Sequence, residues 1–261
     1  MKRFTKIAIS LFLVSALVVG SSSIALASDG IITNEEPTEE EGIQDAEEVI
    51  DFMEEELATE QTSIVTELTE QKAEYQSDME LAPTEEEKQQ IQVLINETAD
   101  MIAEYEQYEE GIQTYGKNHV IYSPAVASIT AYFHVKGYKL AAELLTYAKA
   151  NNKLNVNYKP RNGAVVKKSP VFTYIAKLQK TKGSNSFPNT GNVYQKDCYY
   201  AIHAFNYTKP SAKSRTVTIR DRYDFKYGDY SGIAGAAVNT MYMAQKAGVI
   251  VPFYTVITQT A

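Results

Sequence analysis

Apolar residues recur at helical spacing from residue 43 onward. Intervals of three, four or seven residues separate them, with one shift in phase near Gln61, so the pattern predicts a helix that runs to about residue 80. These positions are Ile50, Met53, Leu57, Ile64, Leu68, Tyr75 and Met79. The sequence Leu81-Ala82-Pro83 ends the helix, because proline cannot continue one.

A second helix is predicted to begin at Thr84, where Glu87 completes a capping box. Apolar positions then follow at alternating intervals of three and four, as at the a and d positions of a coiled coil. They are Ile91, Leu94, Thr98, Met101, Tyr105, Tyr108 and Ile112. We therefore expect an antiparallel helical hairpin over residues 43–110. It would cover the anion-binding surface of the basic half, or act as an interaction arm or pro-segment, as a seam for self-association, or as a solvated spacer.

Residues 111–261 alternate helical and extended patterns, which predicts an α+β domain of helices on a small antiparallel sheet. Ser-Pro pairs at 123–124 and 169–170 are typical helix starts. Helices are expected at 123–137, 141–151, 169–183 and 231–247, and a loop at 183–191. Strands are expected at 193–207 and 215–227, paired as a hairpin, and at 249–258, where Pro252 favours a sheet edge.

Charge divides the chain into opposite halves. Residues 28–110 contain 28 acidic and two basic residues, whereas residues 111–261 contain five acidic and 20 basic ones. Residues 28–42 are so acidic and poor in apolar side chains that we expect a disordered leader. The basic half would either bind external anionic polymers or dock the acidic helices of the same chain.

The N-terminus has the pattern of a secretory signal peptide. Basic residues precede an apolar stretch over residues 7–19, and Ala25-Leu26-Ala27 is a typical cleavage sequence. We expect cleavage after Ala27 and a secreted protein, extracellular or associated with a bacterial cell wall, that does not span the membrane. Cys198 is the only cysteine, so no disulfide can form within one chain.

Asp221, Tyr223 and Asp224 are the strongest candidates for chemistry. Two carboxylates beside a phenol could serve as general acid and base, with His203 contributed by the partner strand. Two hairpin registers are open, and the one that places His203 on the face of Arg222 and Asp224 is slightly favoured by the burial pattern. The alternative is that both carboxylates form ion pairs that end the strand.

The segment Asp221-Arg222-Tyr223-Asp224 resembles the D-x-Y-D catalytic signature of the colicin M family. This resemblance implies hydrolysis of a lipid-linked peptidoglycan precursor between lipid and pyrophosphate, with Asp221, Tyr223 and Asp224 in the active site. The family pattern continues with His-Arg, whereas this chain has Tyr230-Ser231 at that place. His203 would then have to supply the histidine.

A cluster of basic residues among tyrosines predicts anion binding. The candidate residues are Lys167, Lys168, Arg215, Arg220, Arg222 and Lys226. Teichoic acids and lipid head groups are the expected partners, whereas nucleic acid is not expected. The three histidines lack the local spacing of a zinc site, no cofactor motif is present, and the sequence leaves open whether the protein is an enzyme.

Overall fold

The computed structural model describes residues 38–109, 117–228 and 232–261, without the side chains of residues 117–120. The α-helices are α1 (Glu39–Thr59), α2 (Ile64–Leu81), α3 (Glu85–Glu109), α4 (Lys117–Val135), α5 (Lys139–Ala150), α6 (Pro170–Lys177), α7 (Val193–Ala201) and α8 (Gly232–Lys246). A 3₁₀ helix spans Arg161–Lys168. The strands are β1 (Asn157–Tyr158), β2 (Lys182–Ser186), β3 (Ala204–Thr208), β4 (Thr216–Tyr223) and β5 (Phe253–Thr260). The predicted α+β class is confirmed.

The five strands form one sheet in the order β1-β5-β4-β3-β2. All neighbours are antiparallel except β1 and β5. Odd-numbered residues of β4 face the helices and are largely buried, whereas even-numbered ones face outward. The sheet is therefore covered on one face by helices, and its other face carries polar side chains.

The predicted first helix is in fact two helices. α1 ends at Thr59, Gln61 adopts a positive φ of 59°, and α2 begins after Ser63. The Ser63 hydroxyl accepts a hydrogen bond from the backbone N–H of Thr66 and so caps α2. The phase shift at Gln61 in the sequence was the signal of this break.

The acidic leader was predicted to extend to residue 42, but α1 already begins at Glu39. Thr38 and Glu41 form a capping box, in which each side chain bonds the backbone N–H of the other residue. The predicted start of α3 is confirmed, since the Thr84 hydroxyl accepts a hydrogen bond from the backbone N–H of Glu87. The signal peptide and the rest of the leader lie outside the described residues.

The acidic helices do not form a separate hairpin. α1, α2 and α3 all pack against α4, and one apolar core contains residues of these helices together with residues of the sheet. Gly42 of α1 lies so close to α4 that a Cβ atom there would stand 2.7 Å from the Tyr122 hydroxyl oxygen. The main core therefore crosses the boundary placed at residue 110, and a smaller apolar cluster of Tyr75, Ala82, Ile91, Leu94 and Ile95 lies on its acidic side.

The coiled-coil seam of α3 is used within the chain. Ile91, Leu94, Thr98, Met101 and Tyr105 are each less than 1.5 % exposed. They pack mainly against α2, α4 and α5, so self-association through this seam is not supported. Ile112 lies outside the described residues.

Three boundaries in the second half were predicted wrongly. α4 begins at Lys117 and contains Pro124, and residues 121–133 are all buried, so packing outweighs the cost of the proline. α6 begins at the predicted Ser169-Pro170 pair but stops at Lys177. Gly183 lies in β2, where a Cβ atom would approach the Tyr207 hydroxyl oxygen to 2.7 Å.

The position of the last strand in the sheet was also predicted wrongly. β5 lies between β1 and β4, so it is an inner strand and not an edge. Pro252 immediately precedes β5, where its missing N–H costs no ladder bond, and its carbonyl accepts the N–H of Asn155. Among the described residues, no helix has the length and apolar character required to cross a bilayer.

Two buried carboxylates connect the helices. Asp197 of α7 accepts hydrogen bonds from the backbone N–H groups of Leu140 and Ala141 at 3.1 and 2.9 Å and thereby caps α5.

Glu143 of α5 accepts hydrogen bonds from the Tyr158 hydroxyl at 2.6 Å and from the backbone N–H of Arg161 at 2.7 Å. Asn162 donates two further bonds to Glu143, which is fully buried. These acids are structural, although they stand in the basic half.

Replacing Glu143 by alanine should lower the free energy of unfolding by about 3–5 kcal/mol, because it leaves several buried donors without an acceptor. Chemical denaturation monitored by circular dichroism measures the change. Glu60→Ala is the control, since this exposed residue pairs only with Lys136 and its loss should have little effect. Equal stability of both variants would contradict the role given to Glu143.

Candidate functional site

The end of β4 carries the D-x-Y-D segment. Asp221 and Tyr223 lie on the helix-covered face of the sheet, in line with Val217 and Ile219, whereas Arg222 points to the outer face. Asp224 follows the last residue of the strand. The sequence correctly placed Asp221 and Tyr223 on one face.

A small pocket lies where β4, α4, α7 and α8 meet. Its volume is about 50 Å³. Its apolar wall includes Phe133, Leu145 and Met241. The polar lining brings together all four candidate catalytic residues, which are His203, Asp221, Tyr223 and Asp224.

His203 reaches this pocket from a position that the sequence did not predict. Val193–Ala201 is a helix and not a strand, so His203 stands between α7 and β3, with φ of 50°. In the pairing of β3 with β4, odd-numbered residues stand opposite odd-numbered ones, for example Tyr207 opposite Ile219. The register that was slightly favoured from the sequence, with His203 on the face of Arg222 and Asp224, was therefore wrong. The backbone N–H of His203 bonds the Cys198 carbonyl at 3.3 Å and its ring packs edge-on against Tyr199.

The two carboxylates have different surroundings. Burial is the largest cause that raises the pKa of Asp221 well above its ordinary value, and the negative charge of Asp224 raises it further. A backbone hydrogen bond from Arg222 opposes this shift. Asp224 instead accepts a bond of 2.7 Å from Arg222 Nη1. Asp221 is therefore suited to hold a proton, whereas Asp224 forms an ion pair with Arg222.

Tyr223 belongs to the core as much as to the pocket. Its ring stacks on Phe253 at 5.1 Å and meets the edge of Phe225 at 5.3 Å. Burial also raises the pKa of its hydroxyl. These contacts indicate that Tyr223 positions the end of β4 rather than exchanging protons.

The outer face of the sheet is a second candidate site. Arg220 and Arg222 alternate with the buried residues of β4, and the Arg220 guanidinium lies 4.1 Å from the centre of the Tyr254 ring. Hydroxyl pairs continue this face, with Thr218 bonded to Thr258 at 2.9 Å. The pairs Thr216–Thr260 and Ser184–Asn206 extend it, each at 2.8 Å. We call this surface the outer sheet face.

The six candidate anion-binding residues do not form one surface. Arg220 and Arg222 lie on the outer sheet face, whereas Lys167 and Lys168 belong to the 3₁₀ helix on the opposite side, which packs on β5 and α7. There Lys168 Nζ lies 3.9 Å from the centre of the Tyr194 ring. Arg215 precedes β4 and Lys226 follows it, and both are exposed.

The acidic helices neutralise a different set of cations. Lys136 pairs with Glu56 and Glu60, Lys139 with Glu74, Lys149 with Glu97 and Glu104, and Arg161 with Asp78. Within the part of the chain that the structure describes, no carboxylate pairs with Arg220 or with the other exposed candidates Lys167, Lys168, Arg215 and Lys226. Docking of the acidic helices thus accounts for part of the basic charge, and not for the outer sheet face.

Sequence reasoning missed α7 because its aromatic residues imitate a strand. The signal that could have found it is Asn192 followed three positions later by Gln195, an N-terminal capping pattern. The Asn192 side chain accepts the Gln195 N–H at 3.0 Å. Cys198 is buried, and its burial raises the pKa of the thiol, which makes a nucleophilic role unfavourable.

In comparisons with known proteins, no family model matches the chain, and neither a curated relative nor a similar solved structure is found. Tyr230 and Ser231, where the chain departs from the colicin M pattern, lie outside the described residues. The functional argument therefore depends on the geometry of the two candidate surfaces.

Asp221→Asn should change how stability depends on pH. The folded-state pKa of Asp221 is raised, so the folded protein retains a proton that the unfolded chain releases, and stability falls as pH rises above about 4. An asparagine side chain does not ionise, so the variant does not lose stability in this way as pH rises. Its unfolding free energy, measured in urea between pH 4 and 8, should therefore rise relative to the wild type with increasing pH. Parallel profiles would contradict the buried placement of Asp221.

Proposed function

We propose that this is an exported, envelope-associated bacterial protein that binds anionic wall or membrane polymers through the outer sheet face. The observation that carries the proposal is a solvent-facing strand surface on which guanidinium groups stand beside rows of hydroxyls, with no carboxylate paired to Arg220 in the described chain. This function remains the one expected from the basic half of the sequence.

The chemistry of this face suits phosphate esters. Arg220 has donors left for a ligand, because its contact with Tyr254 uses the face of the guanidinium and not its N–H groups. Guanidinium groups bind phosphate oxygens in a two-pronged geometry, and neighbouring threonine hydroxyls can donate to the remaining oxygens. A strand surface also presents its groups along a line, which suits a repeating polymer.

The acidic helices have no part in covering this face. Their ion pairs run to α4, α5 and the 3₁₀ helix, so the earlier idea that they mask the anion-binding surface is not retained. In this proposal they are a structural layer of the protein.

Arg220→Gln should weaken binding of the mature chain to teichoic-acid-bearing walls by about tenfold, because a charge-assisted hydrogen bond is worth about 1.5–3 kcal/mol. Co-sedimentation at several salt concentrations measures this, with walls stripped of teichoic acid and anionic vesicles as comparison surfaces. Lys139→Gln removes the same charge from an existing ion pair and should bind as the wild type does.

Lys168→Gln is the second comparison, because it removes one positive charge from the other side of the sheet. Equal weakening by this variant and by Arg220→Gln would show that binding follows net charge alone. That result would remove the outer sheet face as the site.

A toxin-like phosphoester or pyrophosphate hydrolase is the second candidate function, because His203, Asp221 and Asp224 line one pocket. Asp221 would protonate the leaving oxygen and His203 would activate water, while Arg222 holds Asp224. This function ranks second because the cavity of about 50 Å³ is small, so a substrate would bind mostly at its mouth.

His203→Gln and Asp221→Asn should each lower turnover of a polyprenyl-pyrophosphate-linked sugar by about 10²–10⁴-fold if the pocket is catalytic. Release of the pyrophosphoryl sugar measures turnover, and Lys139→Gln is the control. Undetectable turnover by the wild-type chain, or equal turnover by all three variants, would reject the hydrolase while leaving polymer binding untouched.

A further inference from the structure

A histidine and two glutamates meet between α2 and α4, away from both candidate surfaces. Glu67 and Glu70 are three residues apart on α2, and His134 lies in the last turn of α4. One ligand atom of each residue lies within 4.8 Å of the other two. His134 Nδ1 is 2.9 Å from Glu67 Oε2, and both side chains are only 8 % exposed.

The second nitrogen of His134 is buried without a hydrogen bond. Among the described residues no partner is found for Nε2, and Glu74 Oε1 stands 3.7 Å away, beyond hydrogen-bonding distance. An unsatisfied buried polar atom costs about 1–3 kcal/mol. The hydrogen bond to Glu67 therefore pairs only one of the two ring nitrogens of His134.

We propose that Glu67, Glu70 and His134 form a binding site for a divalent transition metal of the Zn²⁺ type. Imidazole nitrogen and carboxylate oxygen are both ligands of zinc, whereas Ca²⁺ and Mg²⁺ prefer oxygen alone. Tetrahedral coordination at about 2.0–2.1 Å places ligand atoms about 3.3 Å apart. Glu67 and His134 need to separate by only a few tenths of an ångström to reach this spacing.

Glu74 completes the arrangement. With Nδ1 bound to the metal, the imidazole proton resides on Nε2, on the side of Glu74 Oε1, and a shift of less than 1 Å brings the two within hydrogen-bonding distance. Lys139 Nζ bonds the same oxygen of Glu74 at 2.8 Å and holds it in place. Histidine ligands of zinc commonly donate their second N–H to a carboxylate in this way.

The site joins two layers of the protein. Two ligands come from the acidic helix α2 and one from the central helix α4, so a bound metal would fasten these helices together and stabilise the folded state. Glu70 is exposed, so the site opens to solvent on that side and a water molecule can complete the coordination.

Isothermal titration of the chelator-treated mature chain with ZnCl₂ tests the proposal. We expect one saturable equivalent and a rise in Tm with zinc but not with Ca²⁺. Glu70→Gln should weaken zinc binding by about tenfold or more and leave the Tm in chelator unchanged, because Glu70 is exposed. His134→Gln should abolish the binding.

Two control variants locate the ion. Glu60→Gln removes an acid of the same helical layer, and His203→Gln removes the histidine of the pocket, and both should bind zinc as the wild type does. X-ray absorption should show one nitrogen and the remaining ligands oxygen. No saturable binding, equal responses to Zn²⁺ and Ca²⁺, or binding unaffected by Glu70→Gln and His134→Gln would overturn the proposal.

Discussion

Burial of one side of the acidic helices against α4 is the interaction on which the rest of the structure depends. Residues 121–133 of α4 are all buried and mostly apolar. α1, α2 and α3 cover it from one side, and α5 and α8 complete its surroundings. Without these acidic helices, a long apolar surface of α4 would face water, at an unfavourable cost of about 25 cal/mol per Å².

This packing explains how the opposite charges are distributed. The ion pairs of the acidic helices reach α4, α5 and the 3₁₀ helix, where Lys149 is nearly buried between Glu97 and Glu104. The apolar face of each acidic helix points inward and its remaining glutamates face solvent. Because the sheet lies beyond the helical layers, no carboxylate of the described residues pairs with Arg220 on its outer face, whereas Arg222 pairs with Asp224. The molecule thus has an acidic side and a cationic side around one core.

Periodicity and capping predicted the elements whose signals are local. The start of α3, the Ser169 cap of α6, and α5 and α8 were all visible in the sequence, since each depends on residues within a few positions. Pro124 misled because tertiary packing outweighs its cost within α4, and the run after Asn192 misled because its aromatic residues imitate a strand. The pairing of Gly183 with Tyr207 depends on residues far apart in sequence, as does the capping of α5 by Asp197, and neither could be read from the chain.

The candidate site was predicted in its residues and not in its geometry. Asp221 and Tyr223 share a face because strands alternate, but the approach of His203 depends on α7, which the sequence concealed. Lys167 and Lys168 resembled Arg220 and Arg222 in composition, yet the fold separates the two pairs. Charge alone gives no information about which side of a sheet a residue occupies.

Native-state hydrogen exchange tests the shared core most directly. If α1–α3 and the basic half form one core, the slowest amides of α3, α5 and β4 should exchange through a single opening with the same free energy and the same denaturant dependence. Exchange of α1–α3 through a separate opening of lower free energy, with α4, α5 and β4 still protected, would contradict this account.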